Sequence, residues 1–234
     1  MRLFKTPEHE CSYYPERRAV MSVLDPHDPT LPERYGAALA HGFRRTGGML
    51  YKPMCSACRA CVATRLTVTD FRPSRSQRRT WQRNRDVQAS WQPPLPAEEH
   101  RTLYRNYVQA RHGGEEAERD PFESLTAPFP TTLFLELRLE ERLVGLAITD
   151  RVSDGLSAVY TAYDTTLAER GLGTLAILHQ MAYAQAEGLQ FLYLGFWLDQ
   201  HPQMDYKRRF VPQERLIGGR WLLTGNETPN KGSA

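Results

Sequence analysis

From Thr132 to Leu139 apolar positions alternate with others, so that Leu133, Leu135, Leu137 and Leu139 fall on one side of an extended segment. A period of two is that of a strand with a buried face, and Leu143 to Thr149 follows after a tight turn, which predicts a β-hairpin. Leu156 to Tyr163 predicts a third strand, ending at Asp164, and Phe191 to Leu194 a fourth. Between these two, Leu172, Leu175, Leu178, His179, Ala182 and Ala186 recur at helical spacing and predict a helix from Gly171 to about Glu187, closed by Gly188. Earlier in the chain Pro7, Pro15, Pro26, Pro29 and Pro32 interrupt any long element. A helix is expected from Leu31 to about His41 on its Tyr35, Ala38, Leu39 stripe, ended by Gly42. Val62 to Thr69 predicts a half-buried strand with Val62, Leu66 and Val68 on one face. Ser74 and Gln77 form a capping box that predicts a helix from Arg75 to about Asn84. Val87 to Trp91 predicts a short strand, and Ala97 to about His112 a helix with Leu103, Tyr104, Tyr107 and Val108 inward. Glu115 to Pro130 is expected to form a loop or a mobile helix pair.

Antiparallel strands followed by a strand–helix–strand unit predict an α+β fold. At the entry to the long helix stands ERGLGT, Glu169 to Thr174, whose glycines leave backbone N–H groups free to approach an anion at a helix start. This resembles the pyrophosphate loop of the Gcn5-related acyltransferase fold, whose second half has the same order of strands. The resemblance implies an acyltransferase-like mixed sheet with helices over residues 71–234, preceded by a smaller cysteine-containing region over residues 1–70. Glycines that only turn the chain into a helix would read the same way. His179, on the apolar stripe, is expected in the core. Tyr160, Tyr163, Tyr193, Phe196 and Trp197 gather at the ends of the two flanking strands, where Tyr163 and Trp197 are placed to line a cleft.

Charge divides the chain unevenly. Residues 1–111 carry 19 Lys or Arg against 10 Asp or Glu, and residues 112–234 carry 11 against 17. Arginines dominate the basic half, and their planar forks suit phosphates and carboxylates, so a polyanionic partner is expected there. Arg75, Arg79 and Arg83 would line one face of the capped helix, and Arg78 joins Arg75 in its first turn, where the helix dipole disfavours positive charge. With Trp81 interleaved and no acid from Phe71 to Arg85, the helix reads as a nucleic-acid contact, the competing reading being a solvated basic face. No stretch nears the roughly 18 apolar residues of a membrane span, and the start lacks a secretory signal, so a cytoplasmic location without membrane contact is expected. All four cysteines, Cys11 and the C-x-x-C-x-x-C run of Cys55, Cys58 and Cys61, would serve one metal ion or cluster. Buried free thiols, or a redox pair, are the other readings.

CSYYPERRA, HGFRRTGGMLYKP, the cysteine run with VATRL, SRSQRRTWQRN, AYDTTLAERGLGTLAIL and YLGFWLDQHPQMDYKRRFVPQE together resemble the bacterial aspartate/glutamate leucyltransferases, relatives of eukaryotic arginyl-tRNA protein transferase. The resemblance spans nearly the whole chain. It implies transfer of leucine from leucyl-tRNA to proteins beginning with Asp or Glu, marking them for degradation, with Gly171 and Gly173 joining the basic helix in tRNA binding. The eukaryotic relatives pair their first motif cysteine with another three residues on, whereas Cys11 is followed by Ser12, Tyr13 and Tyr14. Zinc or an iron–sulfur cluster is thus carried over only as an expectation for Cys11, Cys55, Cys58 and Cys61.

Attack of an α-amine on an activated ester needs orientation, a neutral amine and a stabilised oxyanion, but neither covalent nucleophile nor cofactor. Asp164 is a candidate for amine contact, and Tyr206 and Lys207 for the ester or oxyanion; each would otherwise be a turn or surface residue. The acceptor's acidic side chain calls for a positive fork, which Arg44, Arg45 and Lys52 beside Tyr51 supply. The same residues would equally hold tRNA phosphates. An acyl-CoA N-acetyltransferase is the runner-up, resting on ERGLGT alone.

Overall fold

The structure, a computed structural model, describes residues 2–111, 122–127, 129 and 131–224. Its main sheet has eight strands, in the spatial order β14-β13-β7-β12-β11-β10-β9-β8. In chain order these are β7 (Val62–Thr67), β8 (Val87–Gln92), β9 (Thr132–Leu139), β10 (Arg142–Val152), β11 (Gly155–Tyr163), β12 (Phe191–Trp197), β13 (Gln213–Ile217) and β14 (Arg220–Thr224). A smaller sheet orders β1 (Leu3–Lys5), β4 (Met21–Leu24), β6 (Met49–Pro53) and β5 (Arg44–Thr46), and β2 (His9–Glu10) pairs with β3 (Arg18–Ala19). The helices are α1 (Tyr35–Ala40), α2 (Arg75–Arg83), α3 (Glu98–Arg111), α4 (Phe122–Thr126) and α5 (Leu172–Ala186).

The leucine alternation of β9 forms a strand over the expected residues, in a hairpin with β10. Leu135 and Leu137 pack beneath Leu172, Leu175 and Ala176 of α5. On the opposite face Phe134 meets Leu103, Tyr104 and Val108 of α3. Both faces of the sheet are therefore covered, and the alternation records only one of them. Glu136, polar yet buried, satisfies its charge against His100 at 2.8 Å and Arg138 at 2.9 Å. Helix α2 begins as its capping box predicts: Ser74 Oγ accepts from the Gln77 N–H at 3.3 Å and Gln77 Oε1 accepts from the Ser74 N–H at 2.8 Å.

Helix α1 is shorter than the expected Leu31–His41 segment. Leu31 is buried in turns that run up to Tyr35, because Pro29 and Pro32 have no N–H to donate and Leu31 bonds back to the Asp28 carbonyl instead. The fourth expected strand runs on to Trp197. Of the Glu115–Pro130 segment, α4 is helical, and residues 115–121, 128 and 130 lie outside those described. Among the described residues no helix is long and apolar enough to cross a membrane.

One irregularity in the sheet creates a cleft. Strands β11 and β12 are its only parallel pair, joined by α5, and they register only at Gly155–Ser157 with Phe191–Tyr193. Beyond that both continue unpaired with each other, and a register shift at Tyr193/Gly195 bends β12 relative to β7. The C-terminal ends of such strands are where α/β folds hold ligands.

Candidate active site

Arg44 fills this gap. It sits on β5, and its guanidinium donates to the Val159 carbonyl of β11 at 3.1 Å while lying 5.5 Å from the Phe196 ring of β12. Gly195 makes the space: a Cβ there would stand 2.5 Å from the Arg44 guanidinium carbon, and its φ of 80° is one that side chains resist. Burial alone disfavours the charge, and the phenols of Tyr51, Tyr13, Tyr206 and Tyr35 nearby outweigh that effect. Among the described residues no carboxylate pairs with Arg44. Of the five N–H donors of the guanidinium, one is taken by the Val159 carbonyl.

Its neighbour Arg45 has the opposite environment, because successive strand residues face opposite sides. Arg45 and Asp150 are an ion pair with both side chains fully buried, Nε to Oδ2 at 2.6 Å and Nη2 to Oδ1 at 3.1 Å. Asp150 also accepts from Tyr35 Oη at 2.9 Å and Thr132 Oγ1 at 2.7 Å. Lys52 reaches the His41 carbonyl at 3.4 Å and lies 4.7 Å from the Phe43 ring. Of the three cations expected to share one role, Arg44 lies in the β11–β12 gap, Arg45 is held by Asp150, and Lys52, also without a carboxylate partner among the described residues, lies against His41 and Phe43. Tyr51 lies beside it, 6.2 Å from Phe196.

Lys207 enters from the short 3-10 helix Asp205–Arg209 and is buried, its Nζ donating to the Phe196 carbonyl and lying 3.4 Å from Met204 Sδ. Burial first, and the Arg44 charge second, push its ammonium well below the usual lysine range. Tyr206 beside it has its phenol raised by burial, an effect the Arg44 charge partly offsets. Asp164 is a turn-former: one oxygen accepts from the Thr166 N–H at 2.9 Å and hydroxyl at 2.6 Å, and the other pairs with Arg142. Burial raises its pKa, yet these partners outweigh it and hold the carboxyl below the usual range.

Arg75, Arg78, Arg79 and Arg83 are all exposed along α2. Arg83 donates to the Glu169 carbonyl and Asn84 to that of Arg170, so the end of α2 braces the loop leading into α5. Thr80 lies 3.4 Å from where a Cβ of Gly171 would be, and the Tyr163 ring 3.2 Å from that of Gly173. Both glycines thus admit protein neighbours at close approach.

Two family models match the chain: Arginine-tRNA-protein transferase, N terminus, over residues 9–79, and Arginine-tRNA-protein transferase, C terminus, over residues 99–217. The chain belongs to the arginine-tRNA-protein transferase family. It is 44% identical over 231 residues to an aspartate/glutamate leucyltransferase of Stenotrophomonas maltophilia (strain R551-3), covering 94% of this chain and 92% of that relative. With an aspartate/glutamate leucyltransferase of Xylella fastidiosa (strain 9a5c) it shares 45% over 233 residues, covering 94% and 91%. Among solved structures it is similar to L-PGS from Bacillus licheniformis, with a TM-score of 0.48 and 12% identity over 80% of this chain and 68% of that one. In this member of the arginine-tRNA-protein transferase family the cleft forms between the two matched regions, Arg44 and Tyr51 coming from the first and Phe196 and Lys207 from the second.

The four cysteines of this transferase are free and half-buried. The Cys61 thiol is pushed up to about 12, by burial first and then by Cys11, Cys58 and Cys55 nearby. Cys58 is lowered, by the Ala60 N–H against the effect of burial and then by Arg17, which donates to its Sγ at 3.5 Å. Four sulfurs in one corner match a thiolate-bound group in number and chemistry. Among the described residues, however, no three His, Cys, Asp or Glu side chains converge closely enough to hold an ion.

Two contributors to the cleft escaped the sequence reading. Gly195 carried a signal, a glycine inside a strand, which marks a bulge or a close approach. Tyr13 carried none, since its place depends on a loop whose carbonyl at Tyr13 accepts from His201 Nε2 at 3.1 Å and whose Tyr13 and Tyr14 rings pack edge-on against His201.

Proposed function

We propose that the chain transfers leucine from leucyl-tRNA to the α-amine of proteins beginning with Asp or Glu, marking them for degradation. The observation that carries this reading is Arg44, a cation without a carboxylate partner among the described residues, set between splayed strands in a family of aminoacyl-tRNA-dependent transferases. It is the group an acidic acceptor side chain needs. In the reaction the acceptor nitrogen bonds to the leucyl carbonyl carbon, the ester C–O bond breaks, and the tRNA hydroxyl leaves with a proton while the amine loses one. Lys207, whose charge is disfavoured by burial and by Arg44, is placed to accept a proton from the incoming amine or to donate an N–H to the oxyanion. Tyr206 offers a second hydroxyl there. The acyl transfer routes no step through a cofactor.

The test supplies labelled leucyl-tRNA, arginyl-tRNA or acetyl-CoA with peptides starting Asp, Glu or Ala. Label is expected to pass from leucyl-tRNA to the Asp and Glu peptides only. Transfer from acetyl-CoA without tRNA would overturn the reading and favour the acetyltransferase.

We further propose that Cys11, Cys55, Cys58 and Cys61, which do not converge on one point as they stand, draw together on zinc or an iron–sulfur group, tying the β2–β3 loop to the Cys55–Cys61 loop as a structural brace. Protein prepared anaerobically is expected to contain stoichiometric metal and to lose it with a lowered melting temperature in Cys58→Ser. Metal-free protein with unchanged melting and transfer would leave the thiols as packing.

A further inference from the structure

Away from the cleft, a groove of about 300 Å³ opens between α2 and α5. Its floor is apolar, built from Val68, Phe71, Leu178 and Met181, with Ala182 on the α5 side. Trp81 forms one wall. Its ring lies on His179 at 4.5 Å between centroids, tilted 35°, and still exposes 38% of the residue's surface. Packed on His179 in this way, the tryptophan still presents open ring surface beside an apolar hollow. Burial pushes the His179 pKa below the ordinary histidine value, which disfavours a competing charge.

The rim is cationic. Arg78 lines the groove, Arg75 and Arg79 stand on the same helix, all three are exposed, and α2 contains no acid. The carboxylates on either side of α2 along the chain are Asp70, which accepts from Thr69 Oγ1 at 3.2 Å, and Asp86, held by Arg170 at 2.8 and 2.9 Å. An apolar slot with an aromatic wall and arginines around it matches a flat, stackable group carrying anions on either side, which is a nucleotide pulled out of a stack. An acidic peptide would satisfy the arginines but supplies no group that calls for the tryptophan.

The groove is also joined to the cleft. Gln77, the buried residue of α2, donates Nε2 to the Arg209 carbonyl at 3.1 Å, and Arg209 follows Lys207 by two residues. Helix α2 is thereby tied to the segment that carries Tyr206 and Lys207.

We propose that the α2–α5 groove receives one unstacked nucleobase of the tRNA, stacked on Trp81, with its flanking phosphates on Arg75, Arg78 and Arg79. This rests on the tRNA-dependent reading above and specifies how that tRNA is held. Stacking and phosphate contact separate by salt, because only the second releases counterions.

The experiment measures binding of deacylated tRNA over a salt series. Trp81→Ala is expected to weaken binding about tenfold or more at every salt, with the slope of log affinity against log salt unchanged, and Trp81→Phe to recover most of the loss. Arg75→Ala, Arg78→Ala and Arg79→Ala are each expected to flatten the slope by roughly 0.7 to 0.9. Ala182→Phe, which fills the groove while leaving Trp81 and every charge in place, is expected to behave as Trp81→Ala. Unchanged affinity in both Trp81→Ala and Ala182→Phe, with leucyl transfer intact, overturns the groove assignment alone. A raised peptide KM at saturating tRNA with normal tRNA affinity overturns it in favour of a protein ligand. Failure of the unaltered protein to bind any tRNA would instead remove the reading on which the proposal stands.

Discussion

Replacing Arg44 by Ala is expected to lower kcat/KM for an Asp-starting peptide about a hundredfold, near 2.7 kcal/mol, while tRNA affinity changes little. The magnitude follows from what is left behind. A carboxylate drawn into a cleft walled by Tyr51, Tyr13 and Phe196 loses its water, and without the guanidinium it meets no compensating charge. Arg44→Lys is expected to restore little, since an ammonium lacks the fork that grips two oxygens at once. Gly195→Ala should act in the same direction without touching the charge, because the added methyl would occupy the space of the guanidinium, 2.5 Å away. Kinetics with Asp-, Glu- and Ala-starting peptides at saturating leucyl-tRNA, alongside tRNA binding, check the assignment. If Arg44→Ala weakens tRNA binding and leaves peptide kinetics intact, Arg44 belongs to the tRNA and the acceptor pocket lies elsewhere.

That Arg44 rather than Arg45 or Lys52 faces the cleft was beyond the sequence for a definite reason. The three share one basic motif, and strand alternation separates Arg44 from Arg45 only once it is known which side is core. Asp150, which claims Arg45, is 105 residues away, and local spacing carries no trace of that pairing. The capping box of α2 was legible because both halves of its reciprocal bond lie within four residues. The hairpin and the strand–helix–strand unit were legible for a similar reason, since each is written as a period of two or of 3.6. Strands β1 to β4 were not, because two to four residues of mixed polarity hold no period. Lys207 was flagged by motif, but its burial arises from the loop that folds it under Phe196. A sequence shows the lysine; only the packing shows the burial that disfavours its charge.

The buried pair that removes Arg45 from the cleft should dominate the protein's response to mutation. Arg45→Ala is expected to destabilise the fold by about 3 to 5 kcal/mol, because it strands the Asp150 carboxylate without its cation in the interior. Tyr35 and Thr132 would still donate to Asp150, at 2.9 and 2.7 Å, but two neutral hydroxyls do not replace a bidentate guanidinium. Asp150→Ala should cost a similar amount, leaving Arg45 with only the Gly47 carbonyl at 2.9 Å and longer contacts to Ala127 and Leu125. The double variant Arg45→Met with Asp150→Leu is expected to recover much of the loss, since apolar groups of like volume carry no unpaired charge. Urea unfolding of the three variants measures this, and a loss below about 1 kcal/mol in Arg45→Ala would show that the pair contributes little. Position follows from the same bonds. With Arg45 anchored across the sheet to β10, the next residue back along β5 is turned toward the β11–β12 gap. The double variant, if folded, should therefore keep its tRNA affinity but show a raised peptide KM, as Arg44 loses the support that fixes its direction.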